Sequence, residues 1–134
     1  MPISKKTVNI SKAPKPIGPY SHAVRLGSMV FSSGQVGSDP ETRKLVEGGI
    51  SAETRQALTN LKNILESSGS GLDMVAKCTV FLADMNEFAD MNKVYAEFFP
   101  VDPPARSAFQ VARLPMDARV EIEAVAGVKD DSTQ

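Results

Sequence analysis

Few side chains in this sequence can do chemistry, and their spacing narrows what that chemistry is. Arg106 follows two prolines in Pro103-Pro104-Ala105-Arg106-Ser107. Proline restricts the backbone, so a guanidinium just beyond it can be aimed. Arginine is also the side chain best suited to two-pronged recognition of a carboxylate. An ordinary solvated arginine or an internal ion pair fits the same spacing. Glu121 and Glu123 alternate with Val120, Ile122 and Ala124, so both carboxylates share one face of a strand, about 6.6 Å apart along it. They suit proton transfer to and from water, or plain solvation. Cys78 lies inside an apolar run, whereas a reactive thiolate wants a polar setting; it reads as a small core residue. His22, after Pro19-Tyr20-Ser21, reads as a surface or edge residue of a strand start rather than a base.

Much is excluded. Gly69-Ser70-Gly71 lacks the rest of a dinucleotide fingerprint or a P-loop. There is no Gly-x-Ser-x-Gly elbow, and a single histidine leaves few ways to build a triad. One cysteine and one histidine exclude a disulfide framework and a zinc site made of those residues. With 15 Lys+Arg against 16 Asp+Glu the net charge is -1, so no overall basic field recruits nucleic acid or anionic lipid. The N-terminal lysines precede no apolar segment of the secretory kind, and no apolar stretch is long enough to span a bilayer. A cytoplasmic, reducing setting is expected, with a mitochondrial fraction left open. Asn9-Ile10-Ser11 matches a glycosylation sequon by chance in that setting.

The elements that must position these residues can be read from periodicity. At 134 residues the chain fits one domain, 1–134, with tails at 1–5 and 129–134. Residues 13–20, APKPIGPY, form a rigid extended loop after a short first strand. Strands at 22–26 and 29–33 flank a Gly27-Ser28 turn. Residues 37–49 read as a loop. Ser51 reads as the cap of a helix over 52–68, with Ala57, Leu58, Leu61, Ile64 and Leu65 on one face and Gly69 as its stop. A strand over 74–83 follows. Asn86 is placed to cap a second helix on which Phe88, Met91, Tyr95 and Phe98 share a face. Two strands, 107–112 and 118–128, complete an α+β layer in which both helices cover one face of a mixed sheet.

Residues 13–35, APKPIGPYSHAVRLGSMVFSSGQ, and 104–126, PARSAFQVARLPMDARVEIEAVA, closely resemble the RidA family, also called the YjgF family. The resemblance spans residues 10–128. It implies a chorismate-mutase-like fold assembled as a homotrimer with clefts between subunits. It also implies a cofactor-independent, metal-free deaminase that hydrolyses 2-iminopropanoate and 2-iminobutanoate, reactive products of pyridoxal-phosphate enzymes, to 2-oxo acids and ammonia. Residue by residue, the family's carboxylate-binding arginine matches Arg106, its cleft glutamate Glu121 and its loop tyrosine Tyr20. The segment lining its cleft matches Ser33, Gly34 and Gln35, and its cleft asparagine matches Asn92. Ala108 stands where many bacterial members have cysteine, and His22 where glutamine is frequent.

These residue types suit the reaction. Arg106 would hold the substrate carboxylate, Glu121 would handle the water, and Tyr20 would close the site. Two other classes stay open. Some eukaryotic relatives are described as endoribonucleases that inhibit translation, although nucleic acid is an unexpected partner for so neutral a chain. A non-catalytic trimer that binds small carboxylates or chaperones other proteins is the third reading. Self-association is expected on physical grounds too, because helices packed on Val120, Ile122 and Ala124 leave the Glu121, Glu123 and Val125 face uncovered.

Overall fold

The computed structural model describes residues 3–129. Seven strands form one mixed sheet: β1 (Lys5–Val8), β2 (Ala23–Leu26), β3 (Met29–Ser32), β4 (Gln35–Val36), β5 (Val75–Leu82), β6 (Ala105–Gln110) and β7 (Val120–Gly127). Their order is β1-β2-β3-β7-β5-β6, with β4 also paired to β7. Only β5 and β6 run parallel. Helices α1 (Gly49–Ser67) and α2 (Phe88–Phe98) pack on one face. Among the described residues no helix is long and apolar enough to cross a membrane.

Amphipathic patterning explains the layers. Leu58, Leu61, Ile64 and Leu65 of α1 are fully buried against Val30, Val80, Leu82, Val120 and Ile122 of the sheet. Removal of this much apolar surface from water is the main stabilising term, about 1.5–3 kcal/mol for each fully buried large aliphatic side chain. Cys78 is wholly buried in the same layer, as its neighbours dictate. On α2, Met91 and Tyr95 are buried, Phe88 and Phe98 are half-buried against the core, and Val94 joins the face.

Several boundaries differ from the sequence reading. Helix α1 starts three residues early, at Gly49, and Ser51 is not its cap. Gly48, at φ 121°, turns the chain so that the first turn already buries Ile50. Asp84 rather than Asn86 caps the turn that leads into α2, its Oδ1 accepting the Asn86 N–H at 2.9 Å. Strand β6 begins at Ala105, so Arg106 lies inside a paired strand and not in the loop before it. The tail expectation does not reach Lys5, which opens β1, or Lys129, whose N–H donates to the Gly69 carbonyl. Residues 1–2 and 130–134 lie outside the described residues.

Strand β4 was not expected, and it shapes the site. Along β7 the partner chain runs from β3, where Phe31 faces Val125, to β4, where Gln35 faces Ile122. The register therefore advances by one residue between them, a bulge that bends the strand. The Ser32 hydroxyl fills the gap in the ladder by accepting the Ala124 N–H at 2.9 Å. Asn60 of α1, fully buried, holds the far side by donating to the carbonyls of Val36 and Ser38.

Candidate active site

The bulge delivers Gly34 directly against Glu121, with Ser33 lining the same cleft. A Cβ added at Gly34 would collide with the Glu121 carboxylate, lying 2.7 Å from its Cδ and 2.9 Å from its Cγ. Here only glycine allows the approach. Around this contact lies a cleft of about 340 Å³, whose walls include Tyr20, Ser33, Gly34, Met116, Lys15 and Glu121. Met116 sits at the lip in a left-handed conformation, φ 61°, a strained state for a side chain of its size.

Glu121 is half-buried in β7, and no described residue donates a hydrogen bond to it. Burial pushes its carboxyl above the ordinary carboxylate range, and the nearby negative charge of Glu123 pushes in the same direction. A carboxylate so placed is a better base than one in water. The Ser33 hydroxyl is spent inside the wall, donating to the Ser21 carbonyl at 2.6 Å, so it is the backbone here that borders the cleft. Tyr20 is 46% exposed. Its hydroxyl accepts the Ile17 N–H at 3.3 Å, which leaves its own proton free to donate.

Arg106 and Asn92 are elsewhere on the protomer. In β6, Arg106 is registered beside Cys78, whereas Glu121 is registered beside Phe81. Cys78 lies beneath the helices and Phe81 on the open face, so Arg106 and Glu121 project from opposite sides of the sheet with β5 between their strands. The guanidinium is well held. Its carbon sits 4.7 Å from the Tyr95 ring centroid and 5.4 Å from that of Phe88, and Nη1 donates to Asn92 Oδ1 at 2.7 Å. Stacking on aromatic faces and one charge-assisted bond fix the plane. Arg106 lies on β6, the edge of the sheet, and is only partly buried. Ala108, two residues along β6, is partly buried on the same side. Burial pushes the Cys78 thiol up despite the nearby Arg106 charge, in keeping with a core residue that has no exposed surface.

The sequence reading placed His22 at the surface, and the structure corrects this. His22 is 1% exposed, and its ring is hydrogen-bonded at both nitrogens. The Lys15 and Met116 walls of the cleft were missed, for neither carries a local signal. Among the described residues, no group of three or more His, Cys, Asp or Glu side chains is arranged to hold a metal ion.

These features define a small α+β protein with a half-buried carboxylate in a bulge-backed cleft and, across β5 and on the other face of the sheet, an aromatic-stacked arginine on the edge strand. The Endoribonuclease L-PSP family model matches residues 10–128, and the chain belongs to this family, the RidA/YjgF family. A RutC family protein of Pyrococcus horikoshii is 52% identical over 91% of this chain and 97% of its own length. The 2-iminobutanoate/2-iminopropanoate deaminase of Mus musculus is 49% identical over 92% of each. The structure of Escherichia coli TdcF with bound serine superposes with a TM-score of 0.87 at 42% identity, covering 91% of this chain and 98% of that one.

Proposed function

We propose that this protein is a cofactor-independent deaminase that hydrolyses 2-iminopropanoate and 2-iminobutanoate to 2-oxo acids and ammonia, in clefts completed by a second copy of the chain. The observation that carries the reading is the Glu121 carboxylate, buried enough to be basic and held open to the cleft by Gly34. The deaminase names of relatives that match nearly the whole chain supply the substrate. TdcF holding serine, an amino acid of similar size, agrees with a cleft of this volume.

The chemistry balances with these groups. Arg106 pairs with the substrate carboxylate. Water adds its oxygen to the imine carbon, the imine nitrogen takes up a proton, and the proton lost by water passes to Glu121. Glu121 returns that proton to the nitrogen of the tetrahedral adduct. The C–N bond then breaks and ammonia leaves with its electron pair, while the hydroxyl collapses to the new carbonyl and releases its proton through Glu121 to solvent, replacing the one the imine nitrogen had taken from solvent. Tyr20 donates to the oxygen or covers the cleft.

Arg106 and Glu121 cannot meet within one protomer, so a partner must bring them together. The open sheet face offers the surface: Phe31 and Phe109 are exposed there, and Phe81 packs edge-on to Phe109 at 5.4 Å. A closed ring of three copies covers this face and pairs each β6 edge with a neighbour's cleft. The family model's own name makes RNA cleavage the competing reading. Against it stands the only histidine of the chain, buried with both ring nitrogens committed, which leaves no imidazole for acid–base work on RNA. Freshly generated 2-iminopropanoate, with pyruvate read by coupled lactate dehydrogenase, should turn over while an RNA substrate beside it stays intact. The opposite outcome overturns the reading. Light scattering should return three times the 14.4 kDa chain mass; the monomer mass at micromolar concentration would refute the shared cleft.

A further inference from the structure

We propose that His22 is a positioning residue for the cleft, whose ring ties the proline-rich segment carrying Tyr20 to the wall carrying Ser33 and Gly34. His22 is nine-tenths buried or more and touches the chain on three sides. Its Nδ1 accepts the Ile10 N–H at 3.0 Å, and its Nε2 lies 2.6 Å from the Pro14 carbonyl. Its own N–H donates to Asn9 Oδ1 at 3.1 Å, and its carbonyl accepts the Ser33 N–H at 2.9 Å. The Ile10 amide can only donate, so Nδ1 is bare, and Nε2 carries the proton given to Pro14. One tautomer of one neutral ring therefore satisfies both partners.

The geometry says why the residue matters to the site. The segment between β1 and β2 has no strand or helix of its own from Asn9 to Tyr20, and three prolines deny it amide donors. Two of its few polar groups that do find partners, the Ile10 N–H and the Pro14 carbonyl, find them on this ring. Pro14 and Tyr20 border the Glu121 cleft, and so does Ser33, which is bonded to the backbone of His22 and through its hydroxyl to Ser21. His22 thus sets the width between the tyrosine loop and the glutamate wall without reaching the cleft itself.

The inference rests on the deaminase reading for its kinetic arm only. His22→Leu fills the space but orphans Ile10 and Pro14, whereas His22→Gln offers an acceptor and a donor at nearly the separation of the two ring nitrogens. Hydrogen exchange should find the Ile10 amide protected in wild type and His22→Gln, and unprotected in His22→Leu. Turnover of 2-iminopropanoate should show kcat/KM lowered on the order of tenfold in His22→Leu, the loss expected for one misplaced hydrogen bond, and restored in His22→Gln. In a Tyr20→Ala background the leucine substitution should cost almost nothing further, because the effect passes through Tyr20. If His22→Leu does not fold, His22→Asn, too short to reach both partners, takes its place with the same expectations. Protection of Ile10 in the leucine or asparagine variant overturns the tether whether or not imine is turned over. An undiminished cost in the Tyr20→Ala background, or no rescue by glutamine, overturns the link to the cleft.

Discussion

Gly34→Ala tests whether the position of the Glu121 carboxylate, and not merely its presence, drives turnover. The new Cβ would stand 2.7 Å from Cδ and 2.9 Å from Cγ of Glu121. Carbon atoms in ordinary contact lie about 3.5–4.0 Å apart, so the carboxylate must retreat by about 1 Å. The obstacle is a side chain rather than backbone, and Gly34 does not occupy a left-handed conformation, so alanine suits the chain locally. Replacing glycine at such a position stiffens the unfolded chain and stabilises by about 0.4–1 kcal/mol, which offsets part of the crowding. Thermal unfolding should therefore shift by only a few degrees. A misplacement of about 1 Å costs on the order of 100-fold in rate, equivalent to about 2.7 kcal/mol of transition-state stabilisation. The coupled pyruvate assay reads the rate, and a cycle with Glu121→Gln isolates the cause. In the glutamine background the alanine should cost less than about threefold, since the group it displaces no longer takes a proton. Wild-type turnover in Gly34→Ala, or an undiminished loss in the glutamine background, would refute the assignment of Glu121 as the base.

Arg106→Lys should keep the fold and assembly yet lose on the order of 10- to 100-fold in rate, because lysine retains charge without the planar fork held by Tyr95, Phe88 and Asn92; unchanged turnover would discard the carboxylate-binding role. Removing the Glu123 charge relieves one of the two causes that raise Glu121, so Glu123→Gln should move the acid limb of the pH–rate profile to lower pH; a limb that stays put or moves up contradicts this. A carboxylate raised in the folded state costs stability above its folded pKa and regains it as the pH falls through that value. Glu121→Gln should accordingly be at least as heat-stable as wild type at neutral pH while losing most turnover, and a lower melting temperature would count against the burial argument. Cys78 should resist thiol reagents in the native protein and react once on unfolding; rapid labelling with activity intact would show the core placed wrongly.

Local pattern determined a good deal on its own. Helical spacing of Leu58, Leu61, Ile64 and Leu65 located the buried face of α1, and period-two alternation separated Val120, Ile122 and Ala124 from Glu121 and Glu123, because both periods are set by backbone geometry within one element. Glu121, Gly34 and Tyr20 were legible from the family motif and do share a cleft. Three facts required tertiary structure. His22 is buried because partners 8 and 12 residues away in sequence meet its ring, and no neighbour in the sequence announces them. Gly34 reaches Glu121 through a bulge between β3 and β4, and a bulge is a property of two strands paired through β7, not of either alone. Arg106 faces the helices and Glu121 the open side because β6 pairs with β5 in a register that sets Arg106 beside Cys78. A shift of that pairing by one residue would turn every β6 side chain over. Alternation says which residues of a strand share a face; only the pairing of distant strands decides which face it is.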